Sequence, residues 1–397
     1  MTDTGRFDHM PTTADPPTLI VDGHLDLAYN ALFHRRDLTQ SVFTLRERED
    51  PLAGAGKGGP HPDSLRKLPR STAVRGTPTV SLPEMRAGGV GIVLSTIMSR
   101  VQVPNSALAD GMRTQAAAHA MGQSHLHYYN ALEREGELSF IRTAADLQAM
   151  VDLWRSPSHD TPVGLVLSME SADPIMGPED VESWYAAGLR SVSLTHFGIN
   201  SWGHGTGTKG GLYPPAYPLL EALSSAGIAL DLTHAADVAF WQLLDAWDGP
   251  VHASHCNCRA LVPGQRHLSD DMIQAIADRG GVIGMVFAEP MLNPTWDFDN
   301  PGSFSGSVAQ RPMAAVIDHI DHVCQLTGNA DHVSLGTDLD GGFGREWAPT
   351  DYDTIADLQR FVGMLEARGY SSAERDAIAH GNMLRFLARI LPEDSTS

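Results

Sequence analysis

The sequence is poor in cysteine and in positive charge, and it has no long apolar run. Three cysteines in 397 residues are too few for a disulfide framework, so we expect reduced thiols and a cytoplasmic protein. Lys and Arg number 28 against 48 Asp and Glu, and the formal charge of −20 disfavours nucleic acid and anionic membranes as partners. No stretch approaches the roughly 20 apolar residues that span a bilayer, and the polar N-terminus lacks a signal-peptide pattern.

What the chain does contain is a series of eight short runs rich in Val, Ile and Leu, most of them followed by a helical pattern. Nearly continuous apolar character is typical of parallel strands buried on both faces. Repeated strand–helix units predict an α/β fold, a (β/α)8 TIM-like barrel. A doubly wound open sheet is the alternative, but its Gly-rich first turn is missing. In order, the runs are TLIVDGHLD, GVGIVLSTI, VGLVLSME, RSVSLTH, GIALDLTH, PVHASH, GVIGMVF and HVSLGTD.

The predicted domain organisation is a single barrel domain with one insertion. We expect a flexible N-terminal segment at 1–18, the barrel over 19–392 and a polar tail at 393–397. Residues from about 31 to 82 do not fit the strand–helix repeat and are rich in Arg, Gly and Pro. They are interpreted as an insertion after the first strand, either partly mobile near the mouth of the barrel or a solvated loop without a role.

Polar residues cluster at the ends of these runs. A single His at a strand end is more often structural, but six of the eight runs end on a residue typical of metal binding or acid–base chemistry. Barrel enzymes place their chemistry at the C-terminal ends of the strands, so the pattern indicates one shared site. The residues are His24 and Asp26, Glu170, His196, His234, His255 and Asp338.

The spacing of these residues suggests two metal ions. His24 and Asp26 are two apart, which places both side chains on one face of a strand, where they can hold one ion. Glu170 has two carboxylate oxygens and can bridge two ions. His234 and His255 close successive strands and can share the second ion. Imidazole and carboxylate together suit zinc, with manganese or cobalt by exchange, so we expect two Zn²⁺ per chain.

Two residues remain for the chemistry. Two ions about 3.5–4 Å apart lower the pKa of a bridging water and polarise a carbonyl, which predicts hydrolysis. Asp338 is then left as general base and later general acid. His196 is left to stabilise the developing oxyanion.

These motifs together resemble the membrane (renal) dipeptidase family of zinc metallopeptidases, as a bacterial-type soluble member, from about Leu19 to Leu387. Asp26 stands where general amidohydrolases have a second His. The resemblance implies a dipeptide substrate, with L,L and also L,D stereochemistry, and a homodimer. The segments that carry it are VDGHLDLA, MES at 169–171, LTHFGINSW, DLTHAAD, ASHCNCRAL, QRHLSDDMIQAI, GTDLDGG and GNMLRFL.

The resemblance also implies three substrate-binding residues. His196 lies in the family's substrate-binding segment. Arg266 corresponds to an Arg that takes the terminal carboxylate, and a guanidinium fork beside the scissile bond would reject longer peptides. Phe287 falls where animal relatives have a Tyr that reaches the substrate, so a hydroxyl is missing there. Arg259 and His267 are alternatives for the role of Arg266.

Residues near these motifs allow more than one interpretation. Asp22 either supports a ligand or lies in a loop, and Asp340 either positions Asp338 or caps the loop. Cys256 and Cys258 flank His255 and are expected to be small packing residues rather than ligands. His252 is expected in the core.

Two other functions fit the same residues. One is a different binuclear metal-dependent hydrolase on the same barrel, such as an amidase, lactonase or phosphoesterase. The other is a non-catalytic descendant, which the intact Asp338 argues against because a structural zinc site needs no general base.

Overall fold

Parallel β-strands form the centre of the protein. A computed structural model describes residues 17–49, 76–101, 111–295 and 311–393. Every strand residue except Met98 and Ser139 is buried, as strands covered on both faces should be. The strands are β1 (Ile20–Leu25), β2 (Val90–Met98), β3 (Leu138–Phe140), β4 (Val163–Glu170), β5 (Leu189–Ser193), β6 (Ala229–Asp231), β7 (Val251–His252), β8 (Ile283–Met285) and β9 (Val333–Leu335).

The strands follow the order β7-β6-β5-β4-β2-β1-β9-β8, and all of the pairings are parallel. The two edge strands meet at an isolated parallel bridge between Ala253 and Ile283. Two backbone hydrogen bonds reinforce this contact, from Gly284 N to Ala253 O and from Cys256 N to Gly284 O, each 2.8 Å long. The sheet therefore closes almost completely, which confirms the predicted (β/α)8 barrel.

One strand was not predicted. β3 has only three residues and pairs with β4 alone, through Leu138 with Val163 and Phe140 with Leu165. It lies outside the sequence of barrel strands. The other eight strands correspond to the eight apolar runs. The charged residues Glu137 and Arg142 flank it closely, and no metal-type residue follows it, so neither feature that marks the other strands is present.

Helices cover the outside of the barrel. No helix of the described ranges is long and apolar enough to cross a membrane. The helices are α1 (Leu27–Leu32), α2 (Val42–Glu49), α3 (Leu82–Ala87), α4 (Gln115–Glu135), α5 (Ala144–Leu153), α6 (Val181–Ala186), α7 (Ala216–Ser225), α8 (Asp237–Ala246), α9 (Asp270–Asp278), α10 (Ala314–Thr327), α11 (Leu358–Arg368), α12 (Ser372–Asp376) and α13 (Asn382–Ile390).

The first part of the predicted insertion is folded against the barrel. It contains α2, whose Val42 and Leu45 are buried, and Val42 N donates to Glu84 Oε2 at 3.0 Å. Residues 50–75 of the insertion lie outside the described residues, as do 1–16 and 394–397 of the predicted flexible segment and tail. The predicted domain boundaries remain predictions.

Glycines allow the strands to converge inside the barrel. A Cβ atom on Gly284 or on Gly336 would overlap the carbonyl oxygen of Ser254, and one on Gly23 would lie 3.0 Å from the same oxygen. These atoms belong to the backbone and cannot rotate away. The barrel therefore tolerates no side chain at Gly284 or Gly336 without a shift of its strands.

We predict that Gly284→Ala destabilises the protein by about 3 kcal/mol, the upper end for overpacking of a core. Gly363→Ala is the control, because Gly363 lies exposed in α11 with open space around its Cα. This substitution should stabilise the helix by up to about 1 kcal/mol. Urea unfolding of both variants measures the difference, and equal stabilities would contradict the close approach of the strands.

Candidate metal centre

The predicted site residues meet at one end of the barrel. His24 lies in β1 and Glu170 is the last residue of β4. Four others each follow a strand by three residues, so that a short turn brings the side chain over the barrel mouth. These four are His196, His234, His255 and Asp338.

The carboxylate of Glu170 is the centre of the cluster. Its Oε1 lies 3.2 Å from His234 Nε2 and 3.3 Å from His255 Nε2. The same oxygen lies 3.7 Å from His196 Nε2, and Oε2 lies 3.8 Å from His24 Nε2. Each imidazole therefore directs its Nε2 atom toward one buried carboxylate.

The potential ligand atoms fall into three overlapping sets, each with all its atoms within 4.8 Å of one another. Glu170 belongs to two of these sets and His24 to two, so neighbouring sets share a residue. The three sets therefore form one continuous group of potential ligand atoms. The sets are His24, Glu170 and His255; Glu170, His196 and His234; and His24, Asp26 and Asp338.

The electrostatics of the site favour neutral imidazoles. Burial lowers the pKa of His234 and of His255 well below 6.5, and the nearby Arg266 guanidinium lowers both further. Burial likewise lowers the pKa of His24 and of His196. A neutral imidazole keeps the lone pair that binds a metal, so the four rings are in the form that coordination needs.

The carboxylates of the site repel one another. Burial raises the pKa of Asp338 well above 3.8, and the negative charges of Glu170 and Asp26 raise it further. Close carboxylates in a buried site are stable only if a cation or a proton offsets their charge.

A metal ion fits this set of residues. Within the described part of the chain, the buried His24 Nε2 has no hydrogen-bond partner, although it lies 3.9 Å from Asp338 Oδ1. Neutral imidazoles and clustered carboxylates are the donors that zinc and similar ions prefer. The three sets together offer such donors from His24, Asp26, Glu170, His196, His234, His255 and Asp338.

Three hydroxyl groups form hydrogen bonds with side chains of the cluster. Thr206 Oγ1 lies 3.0 Å from His234 Nδ1, and Ser254 Oγ lies 2.8 Å from His255 Nδ1. The Thr96 hydroxyl donates to Asp26 Oδ1. Such contacts fix ring orientation and tautomer. Sequence reasoning did not find them, because Ser and Thr are common and nothing in their spacing marks these three.

Backbone strain is concentrated at the site. Among the described non-glycine residues, five have a positive φ, between 57° and 69°. Arg35 is one of them, and the other four lie in or next to the cluster: Ser171, His234, Asp338 and Asp340. Such conformations cost about 1–3 kcal/mol each and persist where the surroundings enforce them. A Cβ on Gly341 would overlap Asp338 Oδ1, so this glycine leaves the space that the carboxylate occupies.

Arg266 is buried next to His255. Its Nη2 donates to His255 O at 2.9 Å and its Nη1 contacts Cys256 Sγ at 3.3 Å. In the described ranges no carboxylate forms an ion pair with it, and its Nε has no hydrogen-bond partner. Arg259, in contrast, forms an ion pair with Asp237 at 2.7 Å, which makes it a poor alternative for substrate binding.

Phe287 packs against aromatic residues outside the cluster. Its side chain is fully buried and packs against Phe361, with ring centroids 4.9 Å apart, and near Tyr352 at 6.4 Å. The ring thus contacts the layer of helices outside the barrel. These contacts give no support to a role in substrate binding, and that role of Phe287 remains a prediction from the sequence.

Asp22, His252, Cys256 and Cys258 are all buried. Asp22 accepts from His24 N at 3.1 Å and from Thr337 Oγ1 at 2.6 Å, so it holds the backbone of a ligand rather than its ring. His252 is buried and bonds Ser191 Oγ at 2.7 Å. Cys256 and Cys258 are buried free thiols whose pKa is raised by burial, and neither belongs to the three sets of ligand atoms.

Comparison with known proteins gives a consistent result. A family model described as membrane dipeptidase, peptidase family M19, matches residues 17–393. An uncharacterised protein of Klebsiella pneumoniae is 28% identical over 264 residues, which are 64% of this chain and 90% of that protein. An uncharacterised dipeptidase of Schizosaccharomyces pombe is 25% identical over 56% of this chain, and the match spans only 52% of its length.

Solved structures share the fold. The metallopeptidase of Rhodobacter sphaeroides, liganded with a phosphinate mimic of the dipeptide L-Ala-D-Ala, has a TM-score of 0.72 at 22% identity. The match covers 94% of this chain and 99% of that one. Dipeptidase AC, a metallopeptidase, has a TM-score of 0.71 at 23% identity with the same coverage.

We predict that Thr206→Val weakens zinc binding by about 10-fold to 100-fold, because His234 loses the hydroxyl that orients its ring. Thr208→Val is the matched control in the same loop, since Thr208 Oγ1 contacts His204, outside the cluster, at 3.1 Å. Competition with a chromophoric chelator measures both affinities. Equal affinities for the two variants would show that Thr206 does not support a ligand.

Proposed function

The chain belongs to the membrane dipeptidase family and is a metal-dependent dipeptidase, and we propose that it cleaves its substrate with two zinc ions held by the Glu170 cluster. The observation that carries this proposal is the convergence of Nε2 atoms on both oxygens of one buried carboxylate. When bound, the ions would supply a water of lowered pKa and polarise the scissile carbonyl. His24, Asp26, Glu170, His234 and His255 are the proposed ligands.

Asp338 is proposed as the group that moves the proton. Its carboxylate lies 3.9 Å from His24 Nε2 and is buried among the proposed ligands. Asp338 would take a proton from the attacking water and pass it to the leaving amine. The positive φ of Asp338 directs its carboxylate into this position, and the absence of a side chain at Gly341 leaves space for it.

His196 is proposed to bind the carbonyl oxygen of the scissile bond. Its side chain is 11% exposed, whereas those of His234 and His255 are 2% and 1% exposed. A substrate can therefore reach His196 more easily than the two deeper rings. A hydrogen bond from this residue would stabilise the negative charge that develops on the oxygen.

Arg266 is proposed to select dipeptides by their free carboxylate. A buried guanidinium without a carboxylate partner among the described residues is costly, and an anionic group of the substrate would offset that cost. A free carboxylate bound by Arg266, beside His255, would select peptides that end next to the scissile bond. Because a relative of known structure binds a mimic of L-Ala-D-Ala, we include L,D dipeptides among the substrates.

The alternative hydrolases are not favoured. An amidase, lactonase or phosphoesterase could use the same metal centre, but the family model and the related dipeptidases indicate a peptide substrate. We also propose a cytoplasmic homodimer. The three free cysteines are compatible with a reducing compartment, and the dimer rests on the family resemblance.

The proposed function is tested with the purified protein and a panel of L,L and L,D dipeptides. We expect cleavage that is lost after chelation and returns with zinc. Asp338→Asn should retain the bound zinc and lower kcat by about 10²-fold to 10⁴-fold, because the proton acceptor is lost. Full activity of metal-free protein, or an unchanged kcat in the variant, would contradict the mechanism.

We predict that Arg266→Met lowers kcat/KM for dipeptides by about 100-fold through loss of charge-assisted hydrogen bonds. The variant should also lose the preference of the wild type for a dipeptide over its C-terminal amide. Arg190→Met is the control, because Arg190 is also buried but donates to Arg142 O and Tyr185 O away from the site. Cleavage of the amide as fast as the free dipeptide by wild type would rule out the proposed role.

A further inference from the structure

The buried side chain of Asn30 joins two parts of the site. Its Nδ2 donates to Asp26 O at 3.1 Å and to Asp340 O at 2.9 Å. Asp26 is a proposed ligand, and Asp340 belongs to the turn that carries Asp338. Both protons of one amide group thus hold together two chain segments that are more than 300 positions apart in the sequence.

The orientation of the Asn30 amide is determined by its neighbours. Arg36 Nη1 donates to Asn30 Oδ1 at 2.8 Å, and a guanidinium can only donate. The amide nitrogen must therefore face the two carbonyl oxygens. Arg36 is itself held by Glu49, with Nε 2.9 Å from Oε1, and lies 3.5 Å from Asp340 Oδ2.

The Asp340 end of this connection is also fixed. Its carboxylate accepts from Thr79 Oγ1 at 2.7 Å and from Val80 N at 3.0 Å. Asp338 and Asp340 both have positive φ, at 57° and 60°, so the turn is held in a conformation that it would not adopt alone. Asn30 supplies the hydrogen bonds that connect this strained turn to the start of α1.

We propose that Asn30 is a positioning residue that sets the distance between Asp26 and Asp338, with Arg36 orienting its amide. This inference rests on the proposed function, in which Asp26 holds zinc and Asp338 moves the proton. Loss of the connection would let the turn of Asp338 relax away from the metal centre. Proton transfer and metal binding would then both suffer, although Asn30 contacts neither substrate nor metal.

A second buried asparagine provides a matched control. Asn382 Nδ2 donates to Ala330 O at 2.6 Å and to Val333 O at 2.7 Å, and Arg385 Nη2 donates to Asn382 Oδ1 at 2.9 Å. The hydrogen bonds are of the same type as those of Asn30. However, these carbonyl groups flank the start of β9, at the opposite end of the strand from Asp338.

The test compares Asn30→Ala, Asn30→Asp and Asn382→Ala in the full-length protein. Melting temperature, zinc affinity, and kcat and KM on a dipeptide at saturating zinc are measured. For both Asn30 variants we expect kcat and zinc affinity to fall by at least about tenfold, with KM changed less than about threefold. Asn382→Ala should lower the melting temperature but leave kcat and zinc affinity within about twofold of the wild type.

The inference is overturned if the Asn30 variants lose only thermal stability, as Asn382→Ala should. If they do not fold, Arg36→Met replaces them, and it should lower kcat and zinc affinity in the same direction; unchanged values would overturn the inference. If the wild type cleaves no dipeptide, the proposed function fails alone. Zinc affinity then still decides the role of Asn30.

Discussion

The proximity of four imidazoles to the buried Glu170 carboxylate is the constraint on which the rest of the site depends. Without a cation, such a group of donors and carboxylates would be costly to bury, because neither solvent nor internal hydrogen bonds satisfy it fully. Closure of the barrel creates this proximity, since parallel strands that complete a circle direct their carboxyl ends to one place. The interaction thus links the topology of the sheet to the chemistry at its mouth.

The close approach of the strands and the positions of the ligands have a common origin. Inside the barrel, Gly284 and Gly336 let three backbone segments meet around Ser254, whose hydroxyl in turn orients His255. At the mouth, positive φ values at His234 and Asp338 direct these side chains inward. The backbone at these two residues therefore adopts an energetically unfavourable conformation because the geometry of the site requires it.

Much of this arrangement could be predicted from the sequence. The eight barrel strands are long or apolar enough to be visible, and a His, Asp or Glu directly after a buried strand is a specific signal once it recurs. Other features depend on tertiary contacts that no local pattern records. β3 lacks the longer apolar run or metal-type ending of the other strands. The ring of Phe287 packs against Phe361, and the amide of Asn30 contacts a turn that is 310 positions away in the sequence.

The most direct test of a two-zinc centre is a crystal structure of the zinc-loaded protein with anomalous diffraction at the zinc edge. We expect two peaks, one near His24 and Asp26 and the other near His234 and His255. A single peak, or peaks outside this cluster, would contradict it.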